Sequence, residues 1–281
     1  MSQVGELAEL TSATFERIRR HIESEVGLSF ADNKRTLFRS RLAKRLRELQ
    51  LDSFEEYADR LTRGGDVAEL AICLNLVTTN LTSFFREGHH FDDLVNTRLP
   101  TILSTPGRDR TVRVWSAACS TGAEPYTLAM VLRDALANRS GWSVEILASD
   151  INTEVLGTAK RAVYSGEEVK RVPEETLHRH FQRGTGDNAN RYRIRPETSR
   201  MVHFERINLL RPLPRFEVPF DAVFCRNCLI YFSKEKQAQV IRALTETLRP
   251  GGLLFLGHSE SAPSDYTELE RLPRTVYRKR G

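Results

Sequence analysis

Two acids stand where a ligand would be met. Glu124, in S-T-G-A-E-P-Y, opens a helical run directly after the strand-like T-V-R-V-W-S-A, and Asp150 closes a second strand-like run, V-E-I-L-A-S-D. In open α/β sheets ligands gather at the carboxyl ends of the strands, so the turn from Ala117 to Glu124 is the expected binding site. Ala117, Ala118, Ser120 and Gly122 are small and admit a ligand close to the backbone. The turn is not G-x-G-x-x-G, and the chain has no G-x-x-x-x-G-K-[ST], which argues against a dinucleotide or a triphosphate. A carboxylate at the start of the helix also repels phosphate and suits a ligand carrying positive charge. Asp150 falls where nucleotide-binding folds place the acid that takes two ribose hydroxyls. Each acid also reads as a first-turn residue complementing a helix dipole.

S-adenosylmethionine carries an ammonium, a sulfonium and a ribose, so it answers both acids at once. The run L-R-P-G-G-L-L-F-L-G-H-S adds a helix end, a Pro-Gly-Gly turn and a strand, an ending frequent in enzymes that use this donor. Other chemistries find less support. C-R-N-C (Cys225 to Cys228) has metal or redox spacing, but no second pair or suitably spaced His follows it. With Cys73 and Cys119 these read as core thiols, and no metal is expected. The neighbours His89 and His90 diverge on a helix, and they, like His178 and His180, read as surface or packing residues.

The elements that must position these groups come in two styles. Residues 1–75 read as helices: Phe15, Ile18, Ile22 and Val26 recur at helical steps up to Gly27, and Leu42, Leu46 and Leu49 share one face of the next helix. D-S-F-E-E-Y-A-D-R-L-T-R-G-G offers an Asp or Ser cap and a Gly-pair stop. From about residue 110 strands alternate with helices, the pattern of a mostly parallel sheet. Asn152 is a candidate cap for the helix after Asp150. About residues 165–205 break the rhythm with a short helix, and there R-G-T-G-D-N-A-N-R-Y-R-I-R and M-V-H-F-E-R-I read as small antiparallel strands. A chain of 281 residues accommodates one large domain and a small one. No apolar run reaches the roughly 18 residues of a membrane span, and the N-terminus lacks a signal peptide's apolar core, so a cytoplasmic protein is expected.

Charge is uneven. The formal balance is +5, yet Lys34 to Arg47 holds seven basic residues and no acid. Residues 1–70 as a whole carry 12 Lys and Arg against 13 Asp and Glu, unlike a nucleic-acid-binding domain. The run is a docking face for an acidic partner or a solvated helix face.

L-V-T-T-N-L-T-S-F-F-R-E-G-H-H-F (76–91), W-S-A-A-C-S-T-G-A-E-P-Y-T-L-A-M (115–130), F-D-A-V-F-C-R-N-C-L-I-Y-F (220–232) and G-G-L-L-F-L-G-H-S-E (251–260) together resemble the chemotaxis receptor methyltransferases, the CheR-type protein-glutamate O-methyltransferases. The likeness runs over nearly the whole chain. It implies an α/β, Rossmann-like S-adenosylmethionine methyltransferase domain with a small antiparallel β-subdomain inserted, preceded by an all-α domain. The implied limits are 1–75 for the helical, receptor-contacting domain, 76–110 for a linker covering the cofactor, and 111–281 for the methyltransferase domain.

Carried over motif by motif, the resemblance puts Asn80, Thr82 and Arg86 over the cofactor, with Glu124 and Asp150 at its methionine and ribose ends. It puts Asn208 and Leu209 at the adenine, Arg226 and Asn227 beside the donor, and Tyr231 near the methyl group. Tyr231 and an Arg, either Arg86 or Arg226, would orient the substrate. The substrate would be a glutamate on a methyl-accepting chemoreceptor, already ionised at neutral pH and needing no general base. The place where amine-methylating relatives carry Asn/Asp-Pro-Pro-aromatic reads C-R-N-C-L-I-Y-F, which favours an oxygen nucleophile. Arg39, Arg41, Lys44 and Arg45 would face the receptor, and the β-subdomain would take the receptor's C-terminal tail. A module that binds the donor as a sensor without methylating receptors is the alternative. The chain departs from the pattern at Ala123, where relatives often have a second acid, and at Asn190, where some carry Gly.

Overall fold

The computed structural model describes residues 9–281 apart from 29, 31, 64, 65, 79 and 108. The chain divides into two compact units, Met1–Thr79 with Tyr231–Ser233, and Asn80–Ile230 with Lys234–Gly281.

In the first unit the described helices are α1 (Ser12–Val26), α2 (Arg35–Glu48), α3 (Phe54–Arg63) and α4 (Val67–Val77), with a short 3-10 turn before α2. Thr11 caps α1 by accepting from the Thr14 N–H, and Gly27 ends it in the left-handed conformation at φ 81°. The Ser53 hydroxyl accepts from the Glu56 N–H and so caps α3. The Gly64-Gly65 stop lies outside the described residues. Phe15, Ile18 and Ile22 of α1 are buried, as are Phe38, Leu42 and Leu46 of α2, as the helical spacing requires; Leu49 is the cap of α2 and only half-buried. A buried polar knot joins α2, α3 and α4. The Glu69 carboxylate, 2% exposed, accepts from Arg45 Nη2 at 2.6 Å, Arg45 Nε at 3.0 Å and the Tyr57 hydroxyl at 2.9 Å.

The second unit is built on β1 (Thr111–Ala117), β2 (Ser143–Asp150), β3 (Val163–Ser165), β4 (Phe181–Arg183), β5 (Arg191–Ile194), β6 (Val202–Arg206), β7 (Phe220–Cys225), β8 (Leu248–Leu256), β9 (Leu269–Leu272) and β10 (Val276–Lys279). Seven strands form one sheet in the order β6-β2-β1-β7-β8-β10-β9, and three form a second in the order β3-β5-β4. Pairing is parallel from β6 through β8 and antiparallel where β10 meets β8 and β9. β7 is buried at every position, as a central parallel strand must be.

Two expectations need correction here. M-V-H-F-E-R-I does not join the small antiparallel sheet: its β6 pairs in parallel with β2, Ile146 opposite Val202 through Asp150 opposite Arg206. Alternation along a strand specifies which face is buried, not which sheet supplies the partner. The segment 76–110, expected as a linker covering the cofactor, contributes Phe84, Phe91, Leu94 and Leu99 to the core of the α/β unit. No helix among the described residues is long and apolar enough to cross a membrane.

Candidate functional site

The turn after β1 is shaped by backbone rather than by glycine alone. Ala118, Ser120 and Gly122 have φ of 60°, 51° and 89°, and the Cys119 N–H donates to the Ser149 carbonyl at 2.8 Å, tying the turn to β2. Non-glycine residues with positive φ persist where neighbours fix them. The neighbour is Asp150, whose Oδ2 accepts from the Ser120 N–H at 2.8 Å and whose Oδ1 accepts from the Asn152 N–H at 2.9 Å. Asn152 in turn caps the helix Thr153–Arg161 through the Glu154 and Val155 N–H groups. Gly122 is small for a different reason from the one its sequence position invites. A Cβ there would lie 2.8 Å from Ala159 Cβ and 3.0 Å from the Tyr164 hydroxyl, so its smallness serves packing rather than a ligand. Burial raises the Asp150 carboxyl against the opposing pull of the Asn152, Ser120 and Ile151 N–H groups.

Beside this turn, on the helix Ala123–Ala135, Glu124 joins a charged cluster. Its Oε1 accepts from the Ser116 hydroxyl at 2.8 Å and its Oε2 from Arg226 Nη1 at 3.0 Å. Arg226 Nη2 donates to Glu87 Oε2 at 3.0 Å and to the Arg86 carbonyl at 2.6 Å, and the guanidinium lies over the Phe91 ring at 5.4 Å. Asn227 Nδ2 donates to Glu87 Oε1 at 3.1 Å. Burial raises the Glu124 carboxyl, with Arg226 opposing it. Burial also raises Glu87, but there the Arg226 charge and the hydrogen bonds from Asn227 and Arg226 outweigh it and leave the carboxyl below its usual value. Two carboxylates against one guanidinium leave the cluster with a net negative charge, which fits a cationic ligand. Burial, then Asp150 and Glu124, push the Cys119 thiol well up.

The site residues expected from sequence fall into three groups. Glu124, Asp150, Arg226 and Asn227 lie in or against this assembly, and Asn80 joins it because its carbonyl accepts from the Ser120 hydroxyl at 2.9 Å. The Arg226 side chain is 2% exposed, and its Nη1 and Nη2 are engaged by Glu124, Glu87 and the Arg86 carbonyl, so it is held inside this assembly, with its buried Nε left without a partner. Arg86 Nη1 instead holds the Leu81 carbonyl at 2.8 Å at the surface, with Thr82 half-buried in the loop between them. In the second group, Asn208 Oδ1 accepts from the Leu210 N–H at 3.0 Å, and Leu209 lines a cavity of about 530 Å³ with Pro212, Phe216 and Gln239. Tyr231 ends the one-turn helix Leu229–Tyr231 and groups with the helical unit.

The basic face forms the third group, and it divides. Arg45 is bound to Glu69 and Glu48, and Arg41 Nη1 donates to the Leu76 and Thr78 carbonyls at the end of α4. Both are half-buried and serve as internal ties, while Arg39 and Lys44 are exposed. Sequence reasoning missed Glu87 and Glu260, although both stand inside motifs that carry the resemblance, R-E-G-H-H-F and G-H-S-E.

The other reactive side chains pack. His180, fully buried, bonds Asp134 at 3.1 Å and Thr198 at 3.0 Å. His90, also fully buried, bonds the Arg274 carbonyl at 2.6 Å, and His89 stacks on His258 at 4.7 Å. Cys225 and Cys228 are free thiols with sulfurs 3.3 Å apart. Among the described residues no group of three His, Cys, Asp or Glu is arranged to hold a metal ion.

Residues 80–278 match the family described as CheR methyltransferase, SAM binding domain, and residues 13–78 match CheR methyltransferase, all-alpha domain. The chain is 42% identical over 278 residues to the chemotaxis protein methyltransferase of Salmonella typhimurium, covering 98% of this chain and 93% of that one. It is 42% identical over 272 residues to the protein of the same name from Escherichia coli, covering 96% and 90%. It is 41% identical over 270 residues to chemotaxis protein methyltransferase 2 of Pseudomonas aeruginosa, covering 95% and 93%.

Proposed function

The chain belongs to the CheR methyltransferase family, and from that premise we propose that it methylates the side-chain carboxylates of glutamates on chemoreceptors, forming methyl esters for sensory adaptation. It is an S-adenosylmethionine-dependent methyltransferase of chemotaxis. The residues present suit that cofactor. Asp150 accepts from the Ser120 and Asn152 N–H groups, with Ile151 beside them, and keeps acceptor capacity for ribose hydroxyls, and the Glu87–Arg226–Glu124 cluster sets two carboxylates against one guanidinium, which suits a cation. When bound, the cofactor supplies an activated methyl group on a sulfonium.

The observation that carries the reading is the coexistence of these two acceptors around one turn with no general base assigned beside them. A glutamate nucleophile is ionised at neutral pH, so the protein's task is to strip water from the carboxylate and aim it. With Arg226 engaged internally, we assign the orienting role to Arg86, at the surface, together with Tyr231. Asn80 and Thr82 line the covering loop, and Asn208 and Leu209 take the adenine. In this reading the helical unit addresses the receptor's cytoplasmic domain through Arg39 and Lys44, and the reaction is cytoplasmic. A receptor tail would add to the small sheet: β4 is an edge strand in the order β3-β5-β4, and an extended peptide can extend such an edge. Asn190 is compatible with that sheet because Gly166 gives it room; a Cβ at Gly166 would lie 2.2 Å from Asn190 Oδ1.

Tritium transfer from labelled donor to purified receptor fragments, with and without their C-terminal tails, tests the proposal. Label in base-labile esters of glutamate is the expected result. Donor binding without label in protein would assign a sensor module instead, and label in RNA or metabolites would assign another substrate.

A further inference from the structure

We propose that Glu260 is a positioning residue for the methyl-donor site, holding the turn after β7 in the one backbone path that delivers Arg226 and Asn227 to Glu124 and Glu87. Glu260 follows β8, is 6% exposed, and lies in the G-H-S-E motif to which the reading above gives no role. Its carboxylate faces backbone. Oε2 accepts from the Asn227 N–H at 2.9 Å and the Gly257 N–H at 2.7 Å, and Oε1 accepts from the Leu229 N–H at 2.7 Å and the Ile230 N–H at 3.3 Å. One side chain therefore gathers four N–H groups from the ends of two neighbouring parallel strands.

The turn it gathers takes a sharp path. Asn227 sits at φ 58°, in the left-handed region that Asn adopts more readily than other non-glycine residues, and its N–H is one of the four that Glu260 holds. The residue before it is the buried Arg226, whose bonds to Glu124 and Glu87 depend on where this turn lies. The fit is tight on the far side as well. A Cβ at Gly257 would come within 2.7 Å of Asn227 Nδ2, 2.8 Å of Glu260 Oε2 and 2.9 Å of the Asn227 backbone nitrogen. The Glu260 N–H closes its own turn onto the Gly257 carbonyl at 3.0 Å, so the carboxylate is anchored at both ends. A glutamine at 260 keeps the shape but turns one acceptor into a donor facing N–H groups, which releases half of the staple.

The test uses the full-length protein and reads affinity separately from folding. S-adenosylhomocysteine affinity is measured by calorimetry, donor and receptor KM by methylation assay, and the unfolding midpoint by calorimetric scan, for Glu260→Gln and, independently, Gly257→Ala. The expected result is a rise of about tenfold in the S-adenosylhomocysteine Kd and the donor KM of each folded variant, with receptor KM unchanged within about twofold. A structural role alone lowers the midpoint and the active fraction but leaves the Kd of the folded molecules unchanged; a Kd within about twofold of the parent in both variants overturns the proposal. Should Glu260→Gln fail to fold, Gly257→Ala decides on the same two numbers. Asp150→Ala is the control: if it too leaves affinity intact, the donor-site reading fails rather than the staple alone.

Discussion

Asp150 and Glu260 are buried to nearly the same degree, 8% and 6% exposed, each just beyond or at the carboxyl end of a parallel strand, yet they are bonded differently. Asp150 accepts from the Ser120 and Asn152 N–H groups, with the Ile151 N–H also favouring its charged form, and bends the turn after β1. Glu260 accepts two on each oxygen and locks the turn after β7. A carboxylate has about four lone-pair sites, so Asp150 retains capacity for a ligand and Glu260 retains none. Burial alone does not separate a ligand-binding acid from a structural one; the remaining acceptor capacity does.

The largest test of that difference is Asp150→Ala. Two charge-assisted hydrogen bonds to a ligand, at about 1.5–3 kcal/mol each, predict at least about a hundredfold loss of S-adenosylhomocysteine affinity by calorimetry. An unchanged Kd would remove the contrast with Glu260 altogether. The tenfold effect expected of Glu260→Gln is smaller because it acts through Arg226 and Asn227.

A third buried titratable group in the same unit sets the comparison in pH. Burial pushes the His90 imidazole down to about 4, against the Arg274 carbonyl, which favours the charged form, and with Arg226 and His89 adding to the depression and Glu87 opposing it. Between pH 6.5 and about 4 the unfolded chain therefore binds a proton that the folded chain refuses, so stability falls as pH drops through that window. The contribution is about 2 kcal/mol between pH 6.5 and 5. Denaturant melts at these two pH values check it, and His90→Phe is expected to flatten the slope. Full retention of stability at pH 5 would mean that burial does not govern this histidine.

Tyr231 sharpens the contrast from the side of chemistry. Tyr231→Phe keeps the ring and removes only a hydroxyl, and is expected to leave donor affinity within about twofold while slowing transfer about tenfold, roughly 1.4 kcal/mol of barrier. Single-turnover methylation beside calorimetry separates the two. Equal losses would merge Tyr231 with the binding residues.

Much of this was legible in the chain. The strand-turn-helix around Glu124, the acid at Asp150, the Asn152 cap and the helical face of Phe15, Ile18 and Ile22 follow from local pattern, because each depends on residues within a few positions. What stayed hidden depends on partners far along the chain. Arg226 reads as a ligand group until Glu87, 139 residues away, engages it. Glu260 reads as a motif end until it meets N–H groups about thirty residues upstream. β6 alternates like any strand, and only the sheet assigns it to β2. The resemblance implies a linker over 76–110, yet Phe84 packs edge-on against Tyr164 at 4.8 Å and joins the core.

The same distinction between engaged and available groups orders the cations of α2 and gives the smallest expected effect. Arg45 is 18% exposed and tied to the buried Glu69, so replacing it leaves that carboxylate buried with the Tyr57 hydroxyl and no counterion; Arg45→Met therefore reports on stability and not on partner binding. Arg39 and Lys44 are exposed and contribute to long-range attraction, which salt screens over about 10 Å. Arg39→Glu with Lys44→Glu is expected to raise the receptor KM about threefold at low salt, to flatten its salt dependence, and to leave the unfolding midpoint within a degree or two. A salt response identical to the parent's would place the receptor-facing surface elsewhere on the helical unit. A fall in KM response from Arg45→Met at constant stability would instead show that the inward cation, and not the outward pair, meets the partner.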